Sequence, residues 1–248
     1  MGFAPTQVYQ DHACGVRSFG LAALGRSTAT PPARPRPSTG VANHSDLFRN
    51  GDSRMPPSHR TKTTQAHQAR TVEQLAAALR DGEQPDWLMF WGHRPEPDGR
   101  VGISCLSQWY PAAFTVEGTV YPSAEHFMMC AKARVFQDDN TEASILNAAT
   151  ASEAKRLGRR VRGFDEITWA EHREMAVLIG NVAKFHQNPA LGGFLAATGT
   201  RVLVEASPYD QIWGIGLRAS DPRATDPDRW QGLNLLGFTL MQVRAHLG

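Results

Sequence analysis

The sequence predicts a mostly helical single α+β domain with a few short strands, preceded by a disordered N-terminal tail. Beyond residue 70, many segments carry apolar residues at helical spacing, whereas apolar runs of strand length are few and short. The first 70 residues have little apolar periodicity and many Pro, Ser, Thr and Arg. Such a segment buries too little surface to offset its ordering entropy, so we assign 1–70 to the tail and 71–248 to the domain.

The charge of the chain changes at the same boundary. Residues 1–70 hold nine Lys and Arg against three acids, so residues 71–248 carry a net charge of −4 although the whole chain is +2. A domain that binds nucleic acid is more often basic itself. The tail has the Arg, Ser and low acid content of an organelle transit peptide, and Met55 is an alternative start.

The cysteines and the hydropathy limit the class of protein. Cys14, Cys105 and Cys130 form no disulfide or zinc pattern, so we expect a reducing compartment and a cytoplasmic protein. His126 and Cys130 have helical i,i+4 spacing but no second ligand cluster, so we expect no metal. No run of about 18 apolar residues is present, which predicts no membrane partner. The oligomeric state stays open.

The ordered part begins with a helix and a buried strand. Thr71–Gln74 has the capping-box pattern, and the helix that it begins should end at Gly82. Trp87–Trp91 is a short apolar run typical of a buried strand. We expect a second strand to start at Val101 and lead towards Tyr110.

A hairpin and a capped helix follow. Glu117-Gly118 separates two short β-type runs and predicts a two-residue hairpin. Ser123 is a natural helix N-cap, and Glu125 lies in the first turn, where the helix dipole favours a carboxylate. Lys132 lies about two turns later, near the same face. An acid and a base would then line one side of a pocket; the plainer interpretation is a helix-end charge and a solvated lysine.

The rest of the domain is predicted to be helical apart from one strand. The longest pattern has a stripe of Met175, Leu178, Val182 and Phe185. The remaining predicted elements are a helix near 141–149, a helix 153–157 capped by Ser152, a long helix 169–185, a helix from 189 to 199, a strand 201–205 and a closing helix 233–247.

Three further polar clusters lie in or beside predicted loops, where functional residues often occur. They are 107–109, the basic stretch 155–160, and 205–210 continuing to 213–216. The basic stretch is either a solvated helix end or a phosphate site, since Lys and Arg bind phosphate oxygens through charge-assisted bonds. Trp213 offers a ring for stacking, and the glycines beside it would let a ligand approach the backbone.

Other catalytic patterns are absent from the sequence. There is no Ser/His/Asp order, P-loop, dinucleotide fingerprint or nucleophile elbow. His126, His172 and His186 lie in helical patterns and are interpreted as structural.

Taken in order, the motifs resemble the NADAR family, which includes the YbiA-like N-glycosidases. The resemblance covers about Trp87 to Leu247. It rests on Ser107-Gln108-Trp109-Tyr110-Pro111, the block Tyr121–Lys132, Ala154–Arg159, Lys184-Phe185 with Asn188-Pro189, Leu195 with Thr198-Gly199, Leu203-Val204-Glu205 with Ser207, Asp210 with Trp213–Leu217, and Asn234–Gly237. In one departure, Ile215 stands where some YbiA-like members carry Asp.

The resemblance implies cleavage of N-glycosidic bonds without a metal or cofactor. Such cleavage passes through an oxocarbenium-like state that needs a carboxylate, a water and a proton for the leaving base. We expect Glu125 to be the principal catalytic carboxylate and Asp210 a supporting acid or an acceptor for a ribose hydroxyl. The predicted substrate-binding residues are Ser107, Trp109, Lys132, Lys155, Arg156, Arg159, Trp213 and Gly214.

Three functions fit this pattern. The first is an N-glycosidase acting on a small phosphorylated ribosyl substrate, such as the ribosylamino-pyrimidine phosphates of early riboflavin synthesis. The second is a hydrolase that removes ADP-ribose from guanine in nucleic acid, for which the basic tail would compensate the acidic domain. The third is a non-catalytic module that binds ADP-ribose or NAD, which would not need Glu125.

Overall fold

The structure is a computed structural model that describes residues 64–247. Over this range it is an α+β domain dominated by helices, as predicted. Its strands are β1 (Trp87–Phe90), β2 (Phe114–Val116), β3 (Thr119–Tyr121) and β4 (Val202–Glu205). Its helices are α1 (Val72–Arg80), α2 (Ala124–Val135), α3 (Asp139–Leu146), α4 (Ala151–Gly158), α5 (Glu166–Gln187), α6 (Pro189–Ala197) and α7 (Leu235–Leu247), with short 3-10 helices at Ala66–Gln68, Ile103–Leu106 and Pro227–Arg229.

The packed region extends further towards the N-terminus than residue 71. Ala66 and Ala69 are buried, and the backbone N–H of Ala66 donates to Glu83 Oε2 at 2.8 Å. The described part of the predicted tail therefore packs on the domain. Residues 1–63, which make up most of that tail, lie outside the described residues.

A parallel pair of strands forms the centre of the fold. β1 pairs with β4 from Trp87 opposite Val202 to Phe90 opposite Glu205. Buried parallel strands read as continuous apolar runs, which is how both segments appear in the sequence. Because the two strands run the same way, the segments that follow Phe90 and Glu205 emerge at the same edge.

Helix α7 packs closely on β4. A Cβ atom at Gly237 would overlap the carbonyl oxygen of Leu203, so only glycine allows this approach. The side chain of Asn234, just before α7, donates to Leu203 O at 3.0 Å and accepts from the N–H of Glu205 at 2.9 Å. The start of α7 thus fixes the position of the end of β4.

The predicted hairpin and helix cap are both present. Glu117 and Gly118 have φ values of 49° and 77°, the pair of positive angles that a two-residue turn between β2 and β3 requires. Ser123 caps α2 by accepting from the N–H of His126. Helix α2 is buried on almost every side, because α3, α4 and α5 all pack against it.

The strand predicted from Val101 is instead the 3-10 helix Ile103–Leu106. A buried lysine explains the difference. Lys184 on α5 is fully buried and its Nζ donates to the carbonyls of Cys105 at 2.7 Å and Ser107 at 2.8 Å. These carbonyls are therefore satisfied by a side chain rather than by a neighbouring strand. Burial lowers the pKa of Lys184 to about 7.

Two helix details also differ from the prediction. The N-cap of α4 is Thr150 rather than Ser152, because the Thr150 hydroxyl accepts from the N–H of Glu153. The buried face of α5 matches the predicted stripe only in part, because Phe185 is buried but Met175 is 47% exposed. That face includes Asn181 and Lys184, whose polarity hides it from a hydrophobic pattern.

We expect Gly237→Ala to lower the free energy of unfolding by about 1–3 kcal/mol, because the added methyl group overlaps Leu203 O. Gly193→Ala in α6 is the matched control. Nothing lies within 4 Å of a Cβ there, so the better helix propensity of alanine should raise stability by up to about 1 kcal/mol. Urea unfolding of both variants tests this, and shifts of the same sign would contradict it.

Candidate active site

A cavity of about 460 Å³ opens at the edge where β1 and β4 end. Its walls come from the segment after β1, the loop before β2, the start of α2, one face of α4 and the loop after β4. The lining residues are Trp91, Gly92, His93, Ser107, Gln108, Trp109, Glu125, Lys155, Arg159, Glu205, Ser207, Tyr209, Asp210 and Trp213.

Glu125 is a buried carboxyl group in the wall of this cavity. Its backbone N–H donates to Gln108 O at 3.0 Å, and the Trp109 ring lines the same cavity. Its Oε1 atom has no hydrogen-bond partner among residues 64–247. Burial raises the pKa of Glu125 to about 7, and the positive charge of Lys155 opposes that shift. Glu125 can therefore gain or lose a proton near neutral pH.

Glu205, the last residue of β4, is a second perturbed carboxyl group. It retains some exposed surface, but its Oε2 atom is buried and has no partner among the described residues. Burial, together with the negative charges of Asp210 and Glu125, raises the pKa of Glu205 to about 8, although Lys155 opposes the shift. The cavity thus holds two carboxyl groups whose protonation states can differ at one pH.

Asp210 shapes the loop that carries Trp213. Its Oδ1 accepts from the N–H groups of Ile212 at 3.0 Å and Trp213 at 2.8 Å, which closes a tight turn. Its Oδ2 lies 4.0 Å from Lys155 Nζ. One carboxylate therefore orients both an aromatic ring and a cation towards the cavity.

Cations and aromatic rings form the rest of the wall. Lys155 and Arg159 are one turn apart on α4 and both line the cavity. Lys155 Nζ lies 5.7 Å from the centroid of the Trp109 ring. At the mouth, the rings of Trp91 and Tyr209 have centroids 6.1 Å apart, and the two residues are 55% and 78% exposed.

Most of the site residues predicted from the sequence meet at this cavity, although their roles there remain predictions. They come from the loop before β2, from α2, from α4 and from the loop after β4. They are Ser107, Trp109, Glu125, Lys155, Arg159, Asp210 and Trp213.

Three predicted site residues are placed elsewhere. Lys132 lies two turns along α2 from Glu125, and its Nζ sits 3.7 Å above the Phe164 ring. Arg156 is turned away from Lys155 and pairs with Glu153 at 3.3 Å. Gly214 is buried, and a Cβ there would lie 2.7 Å from Glu205 O, so this glycine allows close packing of the loop on β4 rather than approach by a ligand.

The sequence analysis assigned no role to several residues that line the cavity. They are Trp91, His93, Gln108, Glu205, Ser207 and Tyr209. Five of them follow β1 or lie at and beyond the end of β4, so a parallel pairing of the two apolar runs would have brought them together. Ile215, where some relatives carry Asp, is fully buried and does not line the cavity.

The histidine and cysteine of α2 are engaged in packing. His126 Nδ1 lies 2.7 Å from Ser123 Oγ and its Nε2 lies 3.2 Å from Ala148 O. A carbonyl accepts only, so Nε2 carries the proton and Nδ1 accepts from the Ser123 hydroxyl. Cys130 Sγ lies 3.9 Å from Glu142 O. Within residues 64–247, no helix is long and apolar enough to cross a membrane.

The fold and the cavity define a YbiA-like protein. The NMR structure of the E. coli protein YbiA superposes with a TM-score of 0.50 at 25% identity, over 66% of this chain and 86% of that one. The NADAR domain model matches residues 89–248. The chain belongs to the NADAR family.

Named relatives support an enzyme that hydrolyses N-glycosyl bonds. An N-glycosidase of Acanthamoeba polyphaga mimivirus is 41% identical over 150 residues, which is 58% of this chain and 88% of that protein. An N-glycosidase of Nostoc punctiforme is 29% identical, over 58% of this chain and 85% of the relative. A riboflavin biosynthesis protein of Vibrio vulnificus is 34% identical over 61% of this chain but only 37% of its own length.

The buried Glu125 predicts a specific pH dependence of stability. Its pKa is raised from 4.5 to about 7, so between these pH values the folded protein holds a proton that the unfolded chain releases. The stabilisation is complete below pH 4.5 and is lost as the pH rises through 7. We expect Glu125→Gln to remove this loss, on the order of 3 kcal/mol.

Urea unfolding at pH 5 and pH 8 measures this effect. The exposed Glu174→Gln variant is the control, and its stability should keep the pH dependence of the wild type. If Glu125→Gln loses as much stability as the wild type between the two pH values, Glu125 is not a buried, proton-holding group.

Proposed function

We propose that this protein is an N-glycosidase that hydrolyses the bond between a base and C1′ of a phosphorylated ribosyl substrate. The observation that carries the proposal is the buried Oε1 atom of Glu125, which has no partner among residues 64–247 and lies in a cavity that also holds Lys155 and Arg159. A buried polar atom without a partner costs about 1–3 kcal/mol. Such a cost is typical of sites that a bound ligand or water completes.

Glu125 is suited to the principal carboxylate role. As the C1′–N bond breaks, positive charge develops on the ribosyl ring and a water must lose a proton to attack C1′. An ionised Glu125 stabilises that charge and accepts that proton. Its Oε1 atom has no partner among the described residues and is therefore free to bind the water. A pKa of about 7 lets the group act as a base near neutral pH.

The remaining lining groups suit the other parts of such a substrate. Lys155 and Arg159 present adjacent cations, which bind a phosphate through charge-assisted hydrogen bonds. Trp213 offers a face for the base, and Asp210 offers a carboxylate to a ribose hydroxyl. Gln108 has a buried Nε2 without a partner among the described residues, which can donate to the substrate.

The preferred substrate is a ribosylamino-pyrimidine phosphate of riboflavin synthesis. The relative from Vibrio vulnificus carries riboflavin biosynthesis in its name, and the part of it that resembles this chain is a minor share of its length. A cavity of about 460 Å³ is adequate for one base, one ribose and one phosphate.

A second candidate is removal of ADP-ribose from guanine in nucleic acid. The observation that favours it is the exposed aromatic pair Trp91 and Tyr209 at the mouth of the cavity. Large exposed rings at a binding site stack well on a second base, and a substrate with a single base has no second ring to place there.

Base release by the full-length wild type and Glu125→Gln tests the proposal. Each enzyme is given the ribosylamino-pyrimidine phosphate and, separately, ADP-ribosylated guanosine. We expect the wild type to release base and Glu125→Gln to be at least about a hundredfold slower, because its amide cannot take the proton from water. Glu174→Gln should match the wild type. Binding of both compounds without release by the wild type would instead support the non-catalytic module.

A substitution in the aromatic pair distinguishes the two candidate substrates. If the ADP-ribosylated compound is the substrate, Trp91→Ala should raise its KM about tenfold by removing one stacking surface. The KM for the pyrimidine compound should change less than about twofold. Ile167→Ala, a change at a residue that is 74% exposed on α5, is the control. Equal effects of Trp91→Ala on both compounds would remove the support for the second candidate.

A further inference from the structure

Glu205 lines the cavity but has no role in the reaction proposed for Glu125. Hydrolysis of an N-glycoside needs two proton movements, because the water loses one proton and the departing base gains one. Glu125 accounts for the first. The donor for the second must be a protonated group in the same cavity, and the buried Oε2 of Glu205 has no partner among residues 64–247.

We propose that Glu205 is a second catalytic residue, which donates its proton to the leaving base as the C1′–N bond breaks. This inference rests on the proposed N-glycosidase function. The step balances: one water supplies the hydroxyl group at C1′, its remaining proton goes to Glu125, and the base leaves with the proton of Glu205. A proton then passes from Glu125 to Glu205 through solvent to restore the starting state.

Asp210 is less suited to this donor role. Its Oδ1 already accepts two backbone hydrogen bonds, and its Oδ2 faces the cation of Lys155 at 4.0 Å. The Asp210 carboxylate is therefore already engaged by the backbone of its own loop and by Lys155. Glu205 has the opposite surroundings, because its buried Oε2 receives no hydrogen bond from the described residues.

The charges around Glu205 come from several elements. Those that line the same cavity are Glu125 on α2, Lys155 and Arg159 on α4, His93 after β1, and Asp210 after β4. Burial is the largest influence and the two acids add to it, so the pKa of Glu205 rises to about 8 although Lys155 opposes the shift. With the pKa of Glu125 near 7, the two carboxyl groups together hold about one proton between these values.

Asn234 holds Glu205 in place and acts as a positioning residue. Its fully buried side chain accepts from the Glu205 N–H and donates to Leu203 O, so it pairs with β4 as a neighbouring strand would. Its own backbone has φ 51°, an angle that Asn and Gly tolerate better than other residues. The N–H of Asn234 also donates to Gly214 O at 3.1 Å, which links Glu205 to the Trp213 loop.

The pH dependence of kcat for the full-length protein tests the role of Glu205. With the substrate that the wild type cleaves, we expect activity to rise near pH 7 and fall above about pH 8. Glu205→Gln should lower kcat by about a hundredfold or more and lose the fall at high pH. Glu125→Gln should instead lose the rise near pH 7.

A leaving group that needs no proton distinguishes a proton donor from a structural residue. Nicotinamide mononucleotide releases a neutral base directly from its cationic pyridinium. If the wild type cleaves it, Glu205→Gln should lose less than about threefold with this compound. A uniform loss on both substrates would overturn the donor role. If the wild type does not cleave it, the pH profile decides alone.

Asn234→Gly tests the positioning role, because glycine keeps the positive φ angle and removes both side-chain hydrogen bonds. We expect kcat to fall about tenfold, KM to stay within about twofold, and the high-pH limb to shift. A Glu205→Gln enzyme that keeps the wild-type rate and profile would overturn the inference while leaving the N-glycosidase function intact. Absence of base release by the wild type would overturn both.

Discussion

The parallel pairing of β1 with β4 is the constraint on which the site depends. The two strands are more than a hundred residues apart in the chain, yet their register sets Phe90 opposite Glu205. Everything that follows them, from Trp91 to His93 and from Glu205 to Trp213, therefore emerges at one edge. Ligand sites of α/β sheets commonly form outside the carboxyl ends of parallel strands, and the same geometry operates here with a sheet of only two strands.

A two-stranded sheet leaves backbone groups without a neighbouring strand. Residues at α7 and on α5 form hydrogen bonds to backbone groups of β4 and of the loop before β2. Gly237 and Asn234 bring the start of α7 against β4, where a side-chain amide occupies the place of a further strand. Lys184 on α5 performs a comparable function for the loop before β2, since its buried ammonium holds two carbonyls. Both devices use a polar side chain to satisfy backbone groups that a larger sheet would pair.

The burial of Glu125 and Glu205 in this architecture lowers the stability of the folded protein when the two carboxyl groups ionise. An ionised carboxylate in a buried site is unfavourable, so the fold holds Glu125 and Glu205 partly protonated near neutral pH. The same burial that lowers stability as the pH rises sets proton affinities close to the working range. In the proposed reaction, stability and reactivity depend on the same two groups, and a glutamine at either position is expected to favour stability over reactivity.

Local rules predicted much of the fold because they act over short spans. The Thr71 and Ser123 caps, the Glu117-Gly118 turn and the Pro189 helix start all depend on a few neighbouring residues. The prediction of a strand from Val101 was wrong, because the carbonyls of this segment are bound by the side chain of Lys184, which is distant in the sequence.

In the candidate site too, residues within local motifs were predicted, whereas residues brought together by distant contacts were not. Glu125, Lys155 and Asp210 were identified from the ordered motifs, and all three line one cavity, while their roles remain predictions. Lys132 was placed there by helical phase alone, which ignores the rise along the axis. Glu205 and His93 received no role, because their importance comes from strand pairing rather than from their neighbours in the chain.

The distribution of charge in the cavity favours one orientation of a phosphorylated ribosyl substrate. Among the described residues, α4 contributes Lys155 and Arg159 to one wall, while Glu125 and Glu205 come from α2 and β4. A substrate with a phosphate at one end and a developing ribosyl cation at the other complements this arrangement in a single orientation. A substrate without the phosphate would not engage the cations, and its C1′ would have no fixed place between the two carboxyl groups. If the proposed function holds, electrostatic complementarity to the charge-separated transition state, rather than to the neutral base, is the main determinant of which ribosides react.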